Sequence, residues 1–173
     1  MSSVQLLAAK KQEILKRWFQ VTVDSYPADT ARFINKQKDP FANPVGQSTY
    51  QSLDKLVDAL ISGAERDRLT LALDPIIRIR AVQSFTPSQA TSFVFSLKQI
   101  LRHHLPDDGR AGDVDMNELD RQIDEMAMAA FDIYVTCREK IFELKATESR
   151  NQFFGSLKRA GLIDETEASG PGF

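Results

Sequence analysis

The sequence contains one cysteine, Cys137, and no apolar run long enough to cross a bilayer. A single cysteine cannot form a disulfide within the chain, which fits a reducing compartment. A membrane-spanning helix needs roughly 18 or more consecutive apolar residues, and the N-terminal segment lacks the apolar core and cleavage site of a signal peptide. These absences predict a cytoplasmic protein without membrane insertion.

An excess of charge of one sign is also missing, because 22 Lys and Arg residues face 24 Asp and Glu residues. A nucleic-acid-binding domain normally carries a basic surface, so this near balance argues against a nucleic-acid partner. At 173 residues with 42% hydrophobic content, the chain is long enough to bury one sizeable core. One compact domain is therefore expected.

Motifs for metal, nucleophilic and phosphate chemistry are absent as well. The chain has no CxxC, HExxH or EF-hand spacing, no GxSxG, no GxxxxGK(S/T), and no GxGxxG after a strand. His103 and His104 are adjacent, and adjacent helical residues point about 100° apart, so they do not chelate one ion together. Cys137 is predicted to lie in a helix as a small apolar residue. The sequence predicts a protein that is not an enzyme and has no catalytic residues, metal or cofactor.

Most of the chain is predicted to be helical, because apolar residues recur at three- and four-residue steps. Ser48 is a candidate N-cap, and Thr86 with Gln89 and Asp115 with Glu118 have the spacing of capping boxes. The expected helices cover residues 4–23, 29 or 30 to 37, 48 to about 63, a segment around IIRIRAVQ, 87–104 and 115 to about 146.

Residues 39–46, DPFANPVG, interrupt this pattern with two Asx-Pro pairs and a glycine. Each proline fixes its own φ and moves the residue before it out of the α region, so the segment is extended or turned. Three roles are possible: a ligand-gripping loop, a remnant of catalytic machinery, or a corner between two helices. The corner is favoured, with Phe41 and Val45 held in the core.

The segment IIRIRAVQ, residues 76–83, alternates apolar and polar residues as a strand does. A lone strand among helices has nothing to pair with, however. Pro75 after Asp74 is typical of the first turn of a helix, where the missing N–H does no harm. The prediction is therefore a helix with Pro75 in its first turn.

Arg80 and Gln83 are the best candidates for a polar ligand site. They lie one turn apart on a helix and could hold a carboxylate or a backbone carbonyl together. In a separate hypothesis, Phe93 and Leu97 line an apolar interhelical pocket for a small molecule. The favoured alternative pairs Arg80 with an acid inside the fold, such as Asp39.

The last predicted helix is unusually long, since about 30 residues at 1.5 Å each give roughly 45 Å, the size of a compact domain of this length. Its two adjacent apolar strips could pack against the core and a partner at once. A homodimer seam is the favoured interpretation, and a central helix buried within the monomer is the alternative. The expected seam residues are Leu7, Ile14, Trp18, Leu119, Ile123, Met126, Ala130 and Ile133.

Three segments carry a family resemblance: RWFQVTVDSYPADTARFI, DPFANPVG and DPIIRIRAVQSFTPSQATSFVFSLK. Together they resemble the N-terminal domain family of the RsbRD-type RsbT co-antagonist proteins, over roughly residues 10–145. The resemblance implies an all-α, globin-like domain without haem that dimerises through its first and last helices. In bacterial proteins of this family the domain is the sensory input of a stress-signalling assembly.

The resemblance assigns residues 1–148 to this domain and leaves residues 149–173 as a C-terminal extension, partly disordered, where family members continue into a STAS domain. Five apolar side chains of the extension would either dock a partner or fold back on the domain: Phe153, Phe154, Leu157, Leu162 and Ile163. The leading hypothesis is a regulatory homodimer that contacts an unidentified signalling protein. The alternative is a lipid- or cofactor-binding protein that uses the apolar pocket.

Overall fold

The computed structural model describes residues 3–37, 39–63, 65–83, 85–105 and 115–163. These residues form six α-helices and no strand, which confirms the all-α class and the long C-terminal helix. The globin-like arrangement of the helices stays a prediction. The helices are α1 Ser3–Asp24, α2 Ala28–Lys36, α3 Pro44–Ser62, α4 Arg66–Val82, α5 Pro87–His104 and α6 Met116–Arg159.

The chain groups into two compact units, Met1–Val135 and Thr136–Phe173, and the boundary falls inside α6. The sequence had placed the domain boundary after residue 148. Helix α6 is 44 residues long and runs past the predicted end at Ala146. It continues because no proline follows in this part of the chain, although the apolar periodicity weakens.

Helix α4 is one continuous helix, so the choice of helix over strand for residues 76–83 is confirmed. Pro75 lies in the helix interior, however, and the prediction that it occupies the first turn is wrong. A proline at this position leaves the carbonyl of Leu71 without its usual N–H donor. Leu71 is an exposed residue, so water can reach that part of the helix and limit the cost.

The starts of α5 and α3 test the N-caps that the sequence predicted. In α5, Thr86 and Gln89 form the predicted capping box. Helix α3 begins at Pro44 with Asn43 as its N-cap, so Ser48 is not the cap and that prediction is wrong. The Asn43 side chain accepts a hydrogen bond from the N–H of Gly46, which fixes the start one turn earlier than Ser48 allows.

Residues 39–46 form the corner between α2 and α3. Val45 is half-buried and packs against the apolar cluster of Val23, Tyr26 and Ile34, as expected. Phe41 is 96% exposed, so the prediction that it is held in the core is wrong. Pro40 lies in a turn at residues 40–42, whereas Pro44 is the first residue of α3. The core contact comes only from the second half of the segment.

The core of the first unit forms where α1 packs against α2, α3 and α5 and where α3 packs against α4. Trp18 lies at its centre, fully buried. Its indole Nε1 donates to the carbonyl of Phe93 at 2.7 Å, and the two rings stack with centroids 6.1 Å apart. Trp18 is therefore a core anchor of this chain, where a buried indole N–H has found its acceptor.

The first part of α6 is held to the same unit by polar contacts. Asp124 forms an ion pair with Lys98 of α5, and Tyr134 donates its hydroxyl to the carbonyl of Phe85. At the helix start, the carboxylate of Asp115 accepts from the N–H groups of Asn117 and Glu118, each at 3.1 Å. Asp115 thus caps α6, as its position in the sequence predicted.

Glu118, in the first turn of α6, gives a prediction about pH. Hydrogen bonds from Arg121, and secondarily from Gln122, lower the pKa of the Glu118 carboxyl from 4.5 to about 2. Because the folded-state pKa is depressed, the charged group stabilises the fold above about pH 4.5, and this contribution is lost as the pH falls toward 2. Both side chains are about half exposed, so solvent screens the pair and the effect on total stability is small.

A ¹³C NMR titration of the Glu118 side-chain carboxyl checks this prediction. We expect a midpoint at about 2 in the wild-type chain and a clearly higher midpoint in Arg121→Ala, which removes the principal donor. A wild-type midpoint close to the ordinary glutamate value would contradict it.

Candidate functional site

Arg80 is a fully buried charged side chain in the first unit. Its Nη2 donates to the carbonyl of Thr22 at 3.0 Å and to the hydroxyl of Ser25 at 2.8 Å, and its Nη1 donates to the carbonyl of Gln89 at 3.1 Å. Thr22 lies in the last turn of α1, where carbonyls lack intrahelical donors and a cation is favoured. The guanidinium therefore joins the end of α1 to the first turn of α5.

Three aromatic rings surround the same guanidinium. Its carbon lies 5.1 Å from the ring centroids of Tyr26 and Phe85 and 4.8 Å from that of Phe93. Burial lowers the pKa of Arg80 from its ordinary value, and the neighbouring Tyr26 opposes that shift. An arginine remains protonated at neutral pH, so the aromatic faces stabilise a charge that is removed from water.

No carboxylate among the described residues forms an ion pair with Arg80, so the interpretation that Asp39 neutralises it is wrong. Gln83, the C-cap of α4, is exposed and does not join Arg80 at a common site. Thr22 and Ser25, at the end of α1, lie 58 and 55 residues from Arg80 in sequence, and Gln89 lies nine residues away, in the first turn of α5. No local motif marks those carbonyls, so periodicity alone could not have found them.

The predicted apolar pocket has little open surface in this structure. Phe93 is 2% exposed and Leu97 is fully buried. Trp18 and Arg80 fill the space beside the Phe93 ring. Ligand binding by Arg80, Gln83, Phe93 and Leu97 stays a prediction, and it requires the core to open.

The residues predicted for the dimer seam lie in the core of the single chain. Each has less than a tenth of its surface exposed, so they offer little area to a second copy. Homodimerisation itself stays a prediction, and its surface has to be sought elsewhere. The buried residues are Leu7, Ile14, Trp18, Leu119, Ile123, Met126, Ala130 and Ile133.

The second half of α6 exposes apolar side chains instead. Phe142 and Phe153 are 57% and 61% exposed, and Leu157 is half-buried. Phe142, Ala146, Ser149, Phe153 and Leu157 follow one another at steps of four, three, four and four residues, so they lie on one face of the helix. We call these five residues the distal stripe. It contains two residues of the docking strip that the sequence indicated, Phe153 and Leu157.

Other signs of chemistry are few in the part of the chain that the structure describes. There, no group of three or more His, Cys, Asp or Glu side chains is placed to hold a metal ion. Cys137 is buried, with 8% of its surface exposed. None of the described helices combines the length and the hydropathy that crossing a bilayer requires.

Comparisons with individual proteins find a partial relative. A protein from Archaeoglobus fulgidus, described as an uncharacterized protein, is 32% identical over 101 residues, which cover 57% of this chain and 64% of that protein. The chain thus spans less than two thirds of this curated relative. No solved structure matches the chain.

The family match covers most of the chain and agrees with the motifs that suggested it. Residues 12–149 match the family described as the RsbT co-antagonist protein rsbRD N-terminal domain. This range contains the four helices α2 to α5 and most of α1 and α6. The chain therefore belongs to the RsbT co-antagonist protein rsbRD N-terminal domain family.

Proposed function

We propose that the chain is a non-enzymatic, cytoplasmic regulatory module that receives a signal and transmits it by contact with other proteins in a stress-signalling pathway. Membership in a family of co-antagonist N-terminal domains supports the regulatory role. The observation that carries the contact mechanism is the distal stripe, an exposed apolar face on the second half of α6.

The distal stripe has the features of a helix-pairing surface. From Lys145 to Ser156 every described residue of α6 is exposed, so this part of the helix has no covered face of its own. An isolated helical segment is marginally stable in water, and most helical stability comes from packing an apolar face. Exposed apolar surface of this kind marks protein contacts. A partner helix would supply the missing packing.

A second copy of the chain is the first partner we propose. Phe142, Ala146, Ser149 and Phe153 place two small side chains between two large ones at four- and three-residue steps, the spacing of a coiled-coil seam. Two such faces bury their four phenylalanine side chains together. The seam then lies on the distal stripe instead of on the eight core residues that the sequence suggested.

Sedimentation equilibrium of the full chain over a range of concentrations tests the homodimer. We expect a reversible dimer in the wild type and at least about 30-fold weaker association in Phe142→Glu/Phe153→Glu, because buried aromatic anchors dominate such interfaces. Leu144→Glu is the matched control: it replaces an exposed apolar residue on the opposite face of the same helix, and its association should stay near the wild-type value.

A wild-type chain that sediments as a monomer throughout would remove the homodimer and leave the contact with a signalling protein to be tested separately. For that purpose, affinity capture from the native host compares the same three chains. A partner retained by the wild type and Leu144→Glu but lost by Phe142→Glu/Phe153→Glu would support contact through the distal stripe. A partner retained equally by all three would exclude the stripe as the contact surface.

A further inference from the structure

A groove of about 450 Å³ lies between α1 and α5, on the surface of the first unit. This volume falls within the range of roughly 300–1,000 Å³ that is typical of small-molecule sites. Val21 and Ile100 give it an apolar floor. Its polar lining consists of Arg17 of α1 and Ser96, Gln99, His103 and His104 of α5.

The lining includes three side chains that carry or can carry positive charge, and no carboxylate. Among the described residues, Arg17 has neither an ion pair nor a hydrogen bond through its side chain. Glu13, one turn earlier on α1, is paired with Lys10. The guanidinium therefore faces the groove without a fixed counter-charge, unlike most other basic side chains nearby.

The neighbouring cations of α5 show the contrast. Lys98 is paired with Asp124, and Arg102 is paired with Asp120. Those two side chains point their charge at α6, and neither lines the groove. Arg17 lines the groove and, among the described residues, forms no ion pair with a carboxylate.

The two histidines add hydrogen-bonding groups at the same place. The Nδ1 atom of His104 lies 2.8 Å from the carbonyl oxygen of Ile100, and because a carbonyl only accepts, Nδ1 carries the proton. Nε2 of His104 is then an acceptor in the neutral ring and a second donor in the imidazolium, which is the form that can hold an anion. The imidazole of His103 packs edge-on against that of His104, with centroids 5.1 Å apart. Gln99 also lines the groove, and its side-chain amide is able to donate a hydrogen bond.

We propose that this groove binds a small organic anion, with its carboxylate or phosphate oxygens held by Arg17 and the imidazoles and its carbon body on Val21 and Ile100. A guanidinium fork matches the geometry of both oxyanions. The site lies on α1 and α5, whereas the proposed protein contact lies on residues 142–157, so either proposal can fail while the other stands.

Two-dimensional ¹⁵N NMR titration of the full chain tests the site, with citrate and inorganic phosphate as separate probes and sodium chloride at matched ionic strength as the reference. We expect citrate to cause saturable shifts at the amides around Val21 and Ile100, beyond those caused by sodium chloride. Phosphate offers oxyanion oxygens without a carbon body, so its binding at the same amides should be weaker. Phosphate shifts as strong as those of citrate would overturn the organic class of the ligand.

Arg17→Gln and Lys16→Gln form the decisive pair of variants. Both remove one positive charge from an exposed position of α1, but only Arg17 lines the groove. Loss of a charged hydrogen bond predicts at least about tenfold weaker citrate binding in Arg17→Gln, with less than a twofold change in Lys16→Gln. Equal weakening in both variants, or no saturable shift at the groove in the wild type, would overturn the proposal.

Discussion

Replacing Arg80 with alanine is expected to lower the free energy of unfolding by about 3–5 kcal/mol, the largest single effect we foresee in this chain. The change empties the space between Tyr26, Phe85 and Phe93. It also removes charged hydrogen bonds to the carbonyls of Thr22 and Gln89, each worth roughly 1.5–3 kcal/mol against a buried acceptor. Relief of the desolvation of the guanidinium offsets part of this loss.

Urea unfolding at neutral pH, followed by circular dichroism, measures the effect. Arg80→Met keeps most of the volume of the stem and removes the buried charge, so we expect it to cost at least about 1 kcal/mol less than Arg80→Ala. Arg78→Ala is the control on the same helix, because Arg78 is exposed and paired with Asp74 one turn away. Such a pair contributes about 1 kcal/mol or less. An Arg80→Ala variant as stable as Arg78→Ala would contradict this account of the core.

Most helix positions could be predicted from the sequence because capping residues and apolar periodicity act between residues close in the chain. The capping box of Thr86 and Gln89 makes both of its hydrogen bonds within four residues, so its pattern was sufficient to place the start of α5. Asn43 followed by Pro44 offered a similar signal, an N-cap before a proline at the first helical position. Reading both Asx-Pro pairs as turns concealed it and placed the start of α3 too late.

The candidate sites were harder to predict because they depend on which helix faces meet. Helical spacing put Arg80 and Gln83 near each other on α4, but it could not show that Arg80 points at the carbonyl of Thr22 in another helix. Apolar periodicity predicted correctly that Leu119 and Ile123 lie on a buried face of their helix. Whether the chain's own core or a second copy covers such a face is not encoded in the period of the pattern.

The family resemblance supplied what these patterns could not. Membership follows from a match over residues 12–149, and it gives a regulatory context that no catalytic or metal-binding motif of the chain could have given. It does not identify the surface that transmits the signal. The sequence indicated Phe153 and Leu157 as part of a possible docking strip, but only the structure showed Phe142 and Phe153 exposed on the same helix.

The corner between α2 and α3 gives the second large effect, centred on the Asn43 side chain. This amide is 6% exposed and makes three hydrogen bonds. Its Oδ1 accepts from the N–H of Gly46 at 2.9 Å, and its Nδ2 donates to the carbonyls of Ile34 and Gln37 at 3.0 Å each. One side chain therefore caps the start of α3 and satisfies two carbonyls at the end of α2.

Asn43→Ala is expected to lower the free energy of unfolding by about 2–3 kcal/mol, because it removes the cap and leaves two carbonyls without a donor. Asn43→Asp separates the two roles. Aspartate caps helices as well as asparagine does, but its carboxylate cannot donate to the carbonyls of Ile34 and Gln37. We therefore expect it to be at least as destabilising as alanine at neutral pH. If Asn43→Asp left the free energy of unfolding unchanged, only the capping hydrogen bond would matter.

Gly46→Ala should also be destabilising, by about 2 kcal/mol, although alanine in a helix is normally favoured over glycine by about 1 kcal/mol. A Cβ at this position would lie 2.7 Å from Oδ1 of Asn43, and the three hydrogen bonds of Asn43 prevent that side chain from moving aside. A double-mutant cycle by urea unfolding isolates this contact. In the Asn43→Ala background the obstruction is gone, so Gly46→Ala should become stabilising by about 1 kcal/mol. The same sign in both backgrounds would contradict the argument, because the amide of Asn43 is the only group within 3 Å among the three nearest neighbours of that Cβ.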